Sequence, residues 1–316
     1  MMTALTVVFI LLTQYVPFFS VIGIFACGIP MACLAARNGF STVAAAHIAV
    51  AAIAFLVTGS IISVISIMLM SVLPGAVAGR SLGSGKGFFS ALFAVCIAVC
   101  IGWVFELLVV DTLISGNGIE KMLSEMISQT ESAMNTIIAA LPQSSAEMPD
   151  VQALAKTFID TMKYTLRLYF PSLVIVSSMI TGYIILRLCG FVMKRAHIAK
   201  VELLPFSMLK APKSMSFVAV VLYLMFLFAK ENTAYWSVLA NAVFVLYTII
   251  GVCGLSFVDY KIREKIEKGW IRFIIYAAVL MFGGLLLALL MNVLIIIGIF
   301  DSTRDYRKID AEDRFV

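Results

Sequence analysis

The stretch IGIFDSTRDYRKID, residues 297–310, marks an edge that decides the fold. The thirty residues before Asp301 carry a single charge, Arg272, whereas nine of the sixteen from Asp301 onward are ionised. An apolar run of that length exceeds the ~20 residues that a helix needs to cross a bilayer. The rest of the chain has the same character. It has 316 residues, is 62% hydrophobic and 13% charged, and has a mean hydropathy of +1.05. Soluble domains run at about 25% charged residues, so half the usual solvating charge is missing. The expected fold is all-α: a polytopic transmembrane bundle of about eight to ten membrane segments.

Apolar runs at 2–19, 20–36, 41–57, 60–74, 87–110, 168–190, 214–230, 234–257 and 271–300 supply those segments. Gly59 and Ser60 divide 41–74 into a tight hairpin. The first run lacks the basic flank and cleavage signal of a secretory leader, so it reads as a spanning helix. Four regions follow: a five-helix segment, 1–110; an extracytoplasmic insertion, 111–167; a sixth helix with a basic loop, 168–213; and C-terminal helices with a charged tail, 214–316.

Loop charge sets the orientation. Arg37, Arg80 and Lys86 follow the second and fourth runs. Residues 187–213 carry six Lys/Arg against one acid, and 258–272 carry five more bases. By contrast, 111–167 holds seven acids and four bases. Positive charge marks the cytoplasmic side, which puts the N-terminus inside, 111–167 outside, and the protein in the plasma membrane. A single straight helix over 271–300 would carry Arg304, Arg307 and Lys308 outside. A break at Gly283–Gly284 returns them to the cytoplasm, where Asp301, Arg304, Asp305 and Lys308 are spaced to pair along a continuing helix.

The insertion carries two apolar stripes at helical spacing, from Ile119 to Leu141 and from Val151 to Met162, around a proline-bounded turn. Such stripes predict an amphipathic helical hairpin lying on the bundle or the membrane surface. Small-residue ladders, Gly75–Gly79–Gly83 and Gly28–Ala32–Ala36, let membrane helices approach closely. They serve packing inside the chain or the docking of another membrane subunit. The basic loops would attract anionic lipid, and the bilayer itself is the main partner; no nucleic-acid partner is expected.

Little points to catalysis. GRSLGSGKG, residues 79–87, has Arg80 and Gly87 where a phosphate loop needs Gly and Ser/Thr. The six cysteines and two histidines form no nucleophile–base pair, and neither a cofactor nor a metal is expected. His47 would pack against a neighbouring helix, and Asn241 and Asn292 would tie helices together. The intramembrane ionisable residue Glu106 is the functional suspect, although Asp111 and Trp103 place it near the outer surface.

Several stretches, taken in order, resemble one family. They are VPFFSVIGIFACGIPMACLAARNGF (16–40), YFPSLVIVSSMITGYIILRL (169–188), LPFSMLKAPKSMSFV (204–218), NAVFVLYTIIGVCGLSFVDY (241–260) and GIFDSTRDYRK (298–308). The resemblance is to the YybS-type integral membrane proteins of Gram-positive, especially spore-forming, bacteria, a family of unknown function. It marks Pro205, Pro212, Asn241, Asp301, Asp305 and Arg307 as signature positions, with Ser302 and Thr303 in place of bulkier residues. More distantly, 1–195 is similar in layout to the substrate-binding S-components of energy-coupling-factor transporters. That likeness implies solute entry from outside, with Glu106, Trp103, Gln14 and Tyr15 as contacts and a partner subunit doing the driven work. The first helix carries only Ala4 of their AxxxA docking face. The competing expectation is a structural or assembly scaffold in cell-envelope or sporulation processes.

Overall fold

The computed structural model describes residues 1–114, 116, 118–140, 149–199, 203–231, 233–266, 268–272, 274, 284–304, 306 and 307. The chain divides into two compact units, Met1–Leu203 and Leu204–Val316. All regular structure among the described residues is helical. Five helices are long and apolar enough to cross a membrane: Phe40–Thr58, Ile61–Gly83, Phe88–Val110, Ala153–Arg195 and Ala234–Lys265. Shorter apolar helices add to them, as an all-α multi-pass bundle requires.

In the first unit, α1 (Met2–Tyr15), α2 (Phe19–Ala26), α3 (Gly28–Arg37) and α4 (Phe40–Thr58) come first. Gly59, at φ +68°, ends α4 in the left-handed region that only glycine enters freely. Ser60 then caps α5 (Ile61–Ile67) by accepting from the Ser63 N–H. The hairpin is thus where Gly59–Ser60 predicts it. The helix does not stop at residue 74, however. A π-helical turn over Met68–Val72 carries it into α6 (Leu73–Gly83), which accommodates Pro74 by shifting the hydrogen-bond register just ahead of it.

The helix α7 (Phe88–Phe105) runs into a second π-helical stretch, Glu106–Ile114. Residues 111–167 then contribute α8 (Gly118–Ala140) and the first part of α9 (Pro149–Arg195). At 47 residues, α9 is about 70 Å long, twice a bilayer core. The second amphipathic stripe therefore does not end before the sixth span but continues into it. Leu123 and Ile127 are buried under α8, while Leu154 and Phe158 on α9 stay exposed. Lys163 of α9 pairs with Glu131 of α8 at 2.9 Å.

The two small-residue ladders meet each other, α3 against α6. A methyl group on Gly75 would lie 2.5 Å from Gly28 Cα, and one on Gly79 2.5 Å from Ala32 Cα. An apolar core that includes Ala32, Val95, Val99, Ile185 and Leu186 fills the space between α3, α6, α7 and α9, and a second core lies among α1, α3, α4 and α5.

The second unit holds a short 3-10 turn (Phe206–Met208), α10 (Lys213–Phe228), α11 (Ala234–Lys265) and α12 (Gly284–Thr303). Gly254 and Gly298 bring α11 and α12 into backbone contact. The break expected at Gly283–Gly284 falls partly outside the described residues; α12 begins at Gly284. The expected helical tail is corrected. The helix α12 ends at Thr303, and Asp301 pairs with Arg307, six residues on, rather than with Arg304. A carboxylate buried to 1% exposure gains more from a fully desolvated guanidinium than from an exposed partner one turn away. Asp305 lies outside the described residues.

Candidate functional site

Two polar constellations stand out, one in each unit. In the second unit, Arg307 folds back from the end of α12 and uses all five of its N–H donors. Nε and Nη2 hold Asp301, Nη1 reaches the Ser207 carbonyl and Ser256 Oγ, and Nη2 reaches the Leu209 carbonyl. Ser256 in turn donates to the Phe206 carbonyl at 2.6 Å. The guanidinium also lies 5.8 Å from the ring centre of Phe257. Ser302 donates to the Ile299 carbonyl, so the Ser216 hydroxyl donates to Ser302. This clasp joins two stretches about a hundred residues apart, between Pro205 and Pro212 and from Asp301 to Arg307. With every donor satisfied, it is a fold-closing device rather than a ligand site. Asn241 stands apart from it, its amide donating to the Ser237 carbonyl of its own helix. Residues 206–209 and Ser302 take part in the clasp, and no local spacing rule points to either.

In the first unit, the second constellation lies among buried polar atoms that are unspent. Glu106 begins the π-helical stretch after α7, and its Oε2 is buried without a hydrogen-bond partner among the described residues. The same holds for Ser66 Oγ on α5. Gly102 sets the register between them. A methyl there would lie 2.9 Å from the Leu69 carbonyl oxygen and 3.3 Å from Met70 Cα. The strand of helix through α5 and α6 and the helix α7 are joined by the short turn 84–87, so they run antiparallel. Glu106 follows Gly102 by one turn along its helix, and Ser66 precedes Leu69 and Met70 by about one turn along the other. Both precede or begin a π segment, an element that frequently occurs at functional sites. Above Ser66, Ser63 and Ser60 continue at three-residue intervals to the hairpin end, their hydroxyls 3.0 Å apart.

The remaining expected contacts are dispersed. Trp103 sits one turn before Glu106, half-buried against the α7–α9 core. Gln14 is exposed, and Tyr15, 65% exposed, donates to the Val57 carbonyl at the end of α4. No described hydrogen bond joins them to Glu106. A second unspent pair lies lower in the unit. His47 Nδ1 bonds the Val43 carbonyl of its own helix, not a neighbour as expected; Nε2 and the Ser71 hydroxyl are buried without partners among the described residues. The described residues contain no cluster of ligands able to hold a metal ion.

Long apolar helices, small-residue contacts and buried, internally bonded polar groups define a multi-pass α-helical membrane protein. The chain belongs to the family described as predicted membrane protein (DUF2232), whose family model matches residues 4–302. No curated protein matches it. No solved structure matches it.

Proposed function

We propose that this chain is a non-catalytic, solute-binding membrane protein of the YybS type, working in the plasma membrane of a Gram-positive bacterium with a second membrane subunit. The observation that carries the reading is the buried, unpartnered carboxylate oxygen of Glu106. An ionisable group in a spanning segment is costly to leave unpaired and marks a binding or transport path by default. Its place at the outer end of α7, beside the helices of the outer insertion, fits capture of a solute from outside, as in the S-component layout. The charge asymmetry of the loops supports a cytoplasmic N-terminus. Anionic lipid would gather at the basic segments, where Phe191, Lys194, Arg195 and His197 line an open recess of about 530 Å³.

Native mass spectrometry of the protein, gently purified from its own membranes, tests the reading. One small molecule retained per chain, and lost in Glu106→Gln, is the expected result. An empty chain bound in fixed ratio to another envelope protein would overturn it and favour the scaffold role.

A further inference from the structure

Resting on the attraction of anionic lipid to the basic segments, we propose that the end of α9 holds a discrete seat for one lipid headgroup that terminates in a phosphate monoester. Phe191, Lys194, Arg195 and His197 line a recess there of about 530 Å³, within the ~300–1,000 Å³ of small-ligand pockets. Its polar groups are unspent. Among the described residues, the side chains of Lys194, Arg195 and His197 make no hydrogen bond or ion pair. Other bases of the unit are engaged: Arg80 donates to the Asn38 carbonyl at 3.3 Å, and Arg187 lies over the Tyr183 ring. Glu202, the single acid of 187–213, lies outside the described residues.

The backbone puts His197 where the fold has no need of a histidine. Helix α9 ends in a Schellman motif, with the Ile198 N–H donating to the Met193 carbonyl at 2.9 Å and the His197 N–H to the Lys194 carbonyl at 3.2 Å. His197 takes the left-handed position of that motif, at φ +52°, where glycine is usual because it carries no β-carbon. Ile198 and Ala199 pack against the core of the unit, so the turn is pinned and the imidazole stays in the lining. Bases in a last helical turn ordinarily answer the helix dipole and the charge rule. Neither calls for a histidine at that position or for a recess. The partial negative charge of the helix end opposes an anion, but two full cations outweigh it.

A phosphate monoester carries roughly −1.5 to −2 charges at neutral pH and three acceptor oxygens. That matches two fixed cations and the combined donors of guanidinium, ammonium and ring. A phosphodiester brings one charge and two free oxygens. A zwitterionic headgroup would need a carboxylate for its ammonium, and the lining has none. Phe191, 62% exposed, precedes Lys194 and Arg195 by one turn on the same face of α9. Apolar first and cationic next, along the helix as it leaves the bilayer, is the order that receives an amphiphile rather than free phosphate.

The test titrates the full chain in detergent with dioctanoyl phosphatidic acid, phosphatidylglycerol or phosphatidylcholine, or with glycerol 3-phosphate, and counts adducts by native mass spectrometry. One saturable adduct with phosphatidic acid is expected. It should weaken roughly tenfold, the equivalent of one lost hydrogen bond to a charged group, in Lys194→Gln and in Arg195→Gln. Lys86→Gln, which removes an exposed base outside the recess, should leave it unchanged. His197→Gly separates binding from structure. Glycine suits the left-handed position, so thermal unfolding should rise or stay level while affinity for phosphatidic acid falls several-fold. Unchanged affinity in that variant would overturn the seat as described. Adducts of both anionic lipids that weaken alike in Lys86→Gln and Lys194→Gln overturn the seat and leave diffuse attraction standing. Equal saturable binding of phosphatidylglycerol overturns the monoester assignment, and glycerol 3-phosphate binding as tightly as phosphatidic acid overturns the lipid source. No preference for anionic lipid over phosphatidylcholine sinks the seat together with the lipid attraction. The solute expected at Glu106 is read in the same spectra by its own mass, so either assignment can fail alone.

Discussion

Removing the guanidinium of Arg307 would leave Asp301 charged and buried, with the Ser207 and Leu209 carbonyls unpaired. Breaking a buried pair from one side costs about 3–5 kcal/mol, so Arg307→Ala should strongly lower the unfolding temperature and expose α11 and α12 amides to hydrogen exchange. Arg307→Lys should rescue little. One ammonium cannot span a bidentate carboxylate, two carbonyls and a hydroxyl in the planar fork that arginine presents. The double variant Asp301→Leu, Arg307→Met should regain part of the loss, because it removes both charges together. Equal stability of the lysine variant and the parent would show that charge alone, and not the fork, closes the clasp. The sequence exposes Asp301 and Arg307 as signature residues but not their geometry. The local i,i+3 rule pairs Asp301 with Arg304 instead of Arg307, since nothing in spacing reveals the carbonyls a hundred residues away that hold Arg307 in place. Ser66 is equally silent. Most hydroxyls in these helices bond their own preceding turn, as Ser178 does to the Val174 carbonyl at 2.8 Å. No pattern in SVISIMLMS separates the hydroxyls that do not.

At the scale of helices, the α3–α6 contact is set by what is missing from its side chains. Gly79→Ala places a methyl 2.5 Å from Ala32 Cα, where only helix separation can relieve it. Overpacking of this kind typically costs about 1–3 kcal/mol. Gly39→Ala is the matched control, because its backbone is extended and nothing lies within 4 Å of the added methyl. Thermal unfolding should fall for the first and stay level for the second; parity between them would mean that α3 and α6 are not in contact as described. The two ladders were legible as ladders because their i,i+4 spacing is local. Their mutual pairing was not, since two small faces are equally fit to meet each other or a foreign helix. The α8–α9 link is weaker and pH-dependent. The hydrogen bond to Glu131 raises the Lys163 pKa above its usual 10.5, with desolvation opposing. A raised lysine contributes stability below its unfolded pKa and loses it as pH climbs through the folded one. Hydrogen-exchange protection of α8 should therefore hold through neutral pH and decline only under strongly alkaline conditions. An earlier decline would place the link elsewhere.

For the whole molecule, run length and charge carry the fold, because about 20 apolar residues and the sign of the loops are properties of composition. The join between the amphipathic hairpin and the sixth span was not legible, since α9 passes from amphipathic to wholly apolar without a breaker. Nor was the side of the chain end, which depends on a helix break lying partly outside the described residues. The clasp links the end of α12 to another turn. Arg307 binds Ser207 and Leu209, so the end of α12 lies at the same end of its unit as the turn before α10. That turn lies within the basic stretch 187–213, which the charge rule assigns to the cytoplasm. In a cysteine-free background, a membrane-impermeant maleimide on intact cells should therefore label Ser132→Cys of the outer hairpin. It should reach Ser84→Cys and Arg304→Cys only after permeabilisation; all three positions are exposed. Labelling of Arg304→Cys together with Ser132→Cys would break the link between clasp and loop. Labelling of Ser84→Cys and Arg304→Cys on intact cells, with Ser132→Cys protected, would keep that link and invert the whole chain. Inversion would turn the Glu106 end of α7 toward the cytoplasm, and capture of a solute from outside would no longer be tenable.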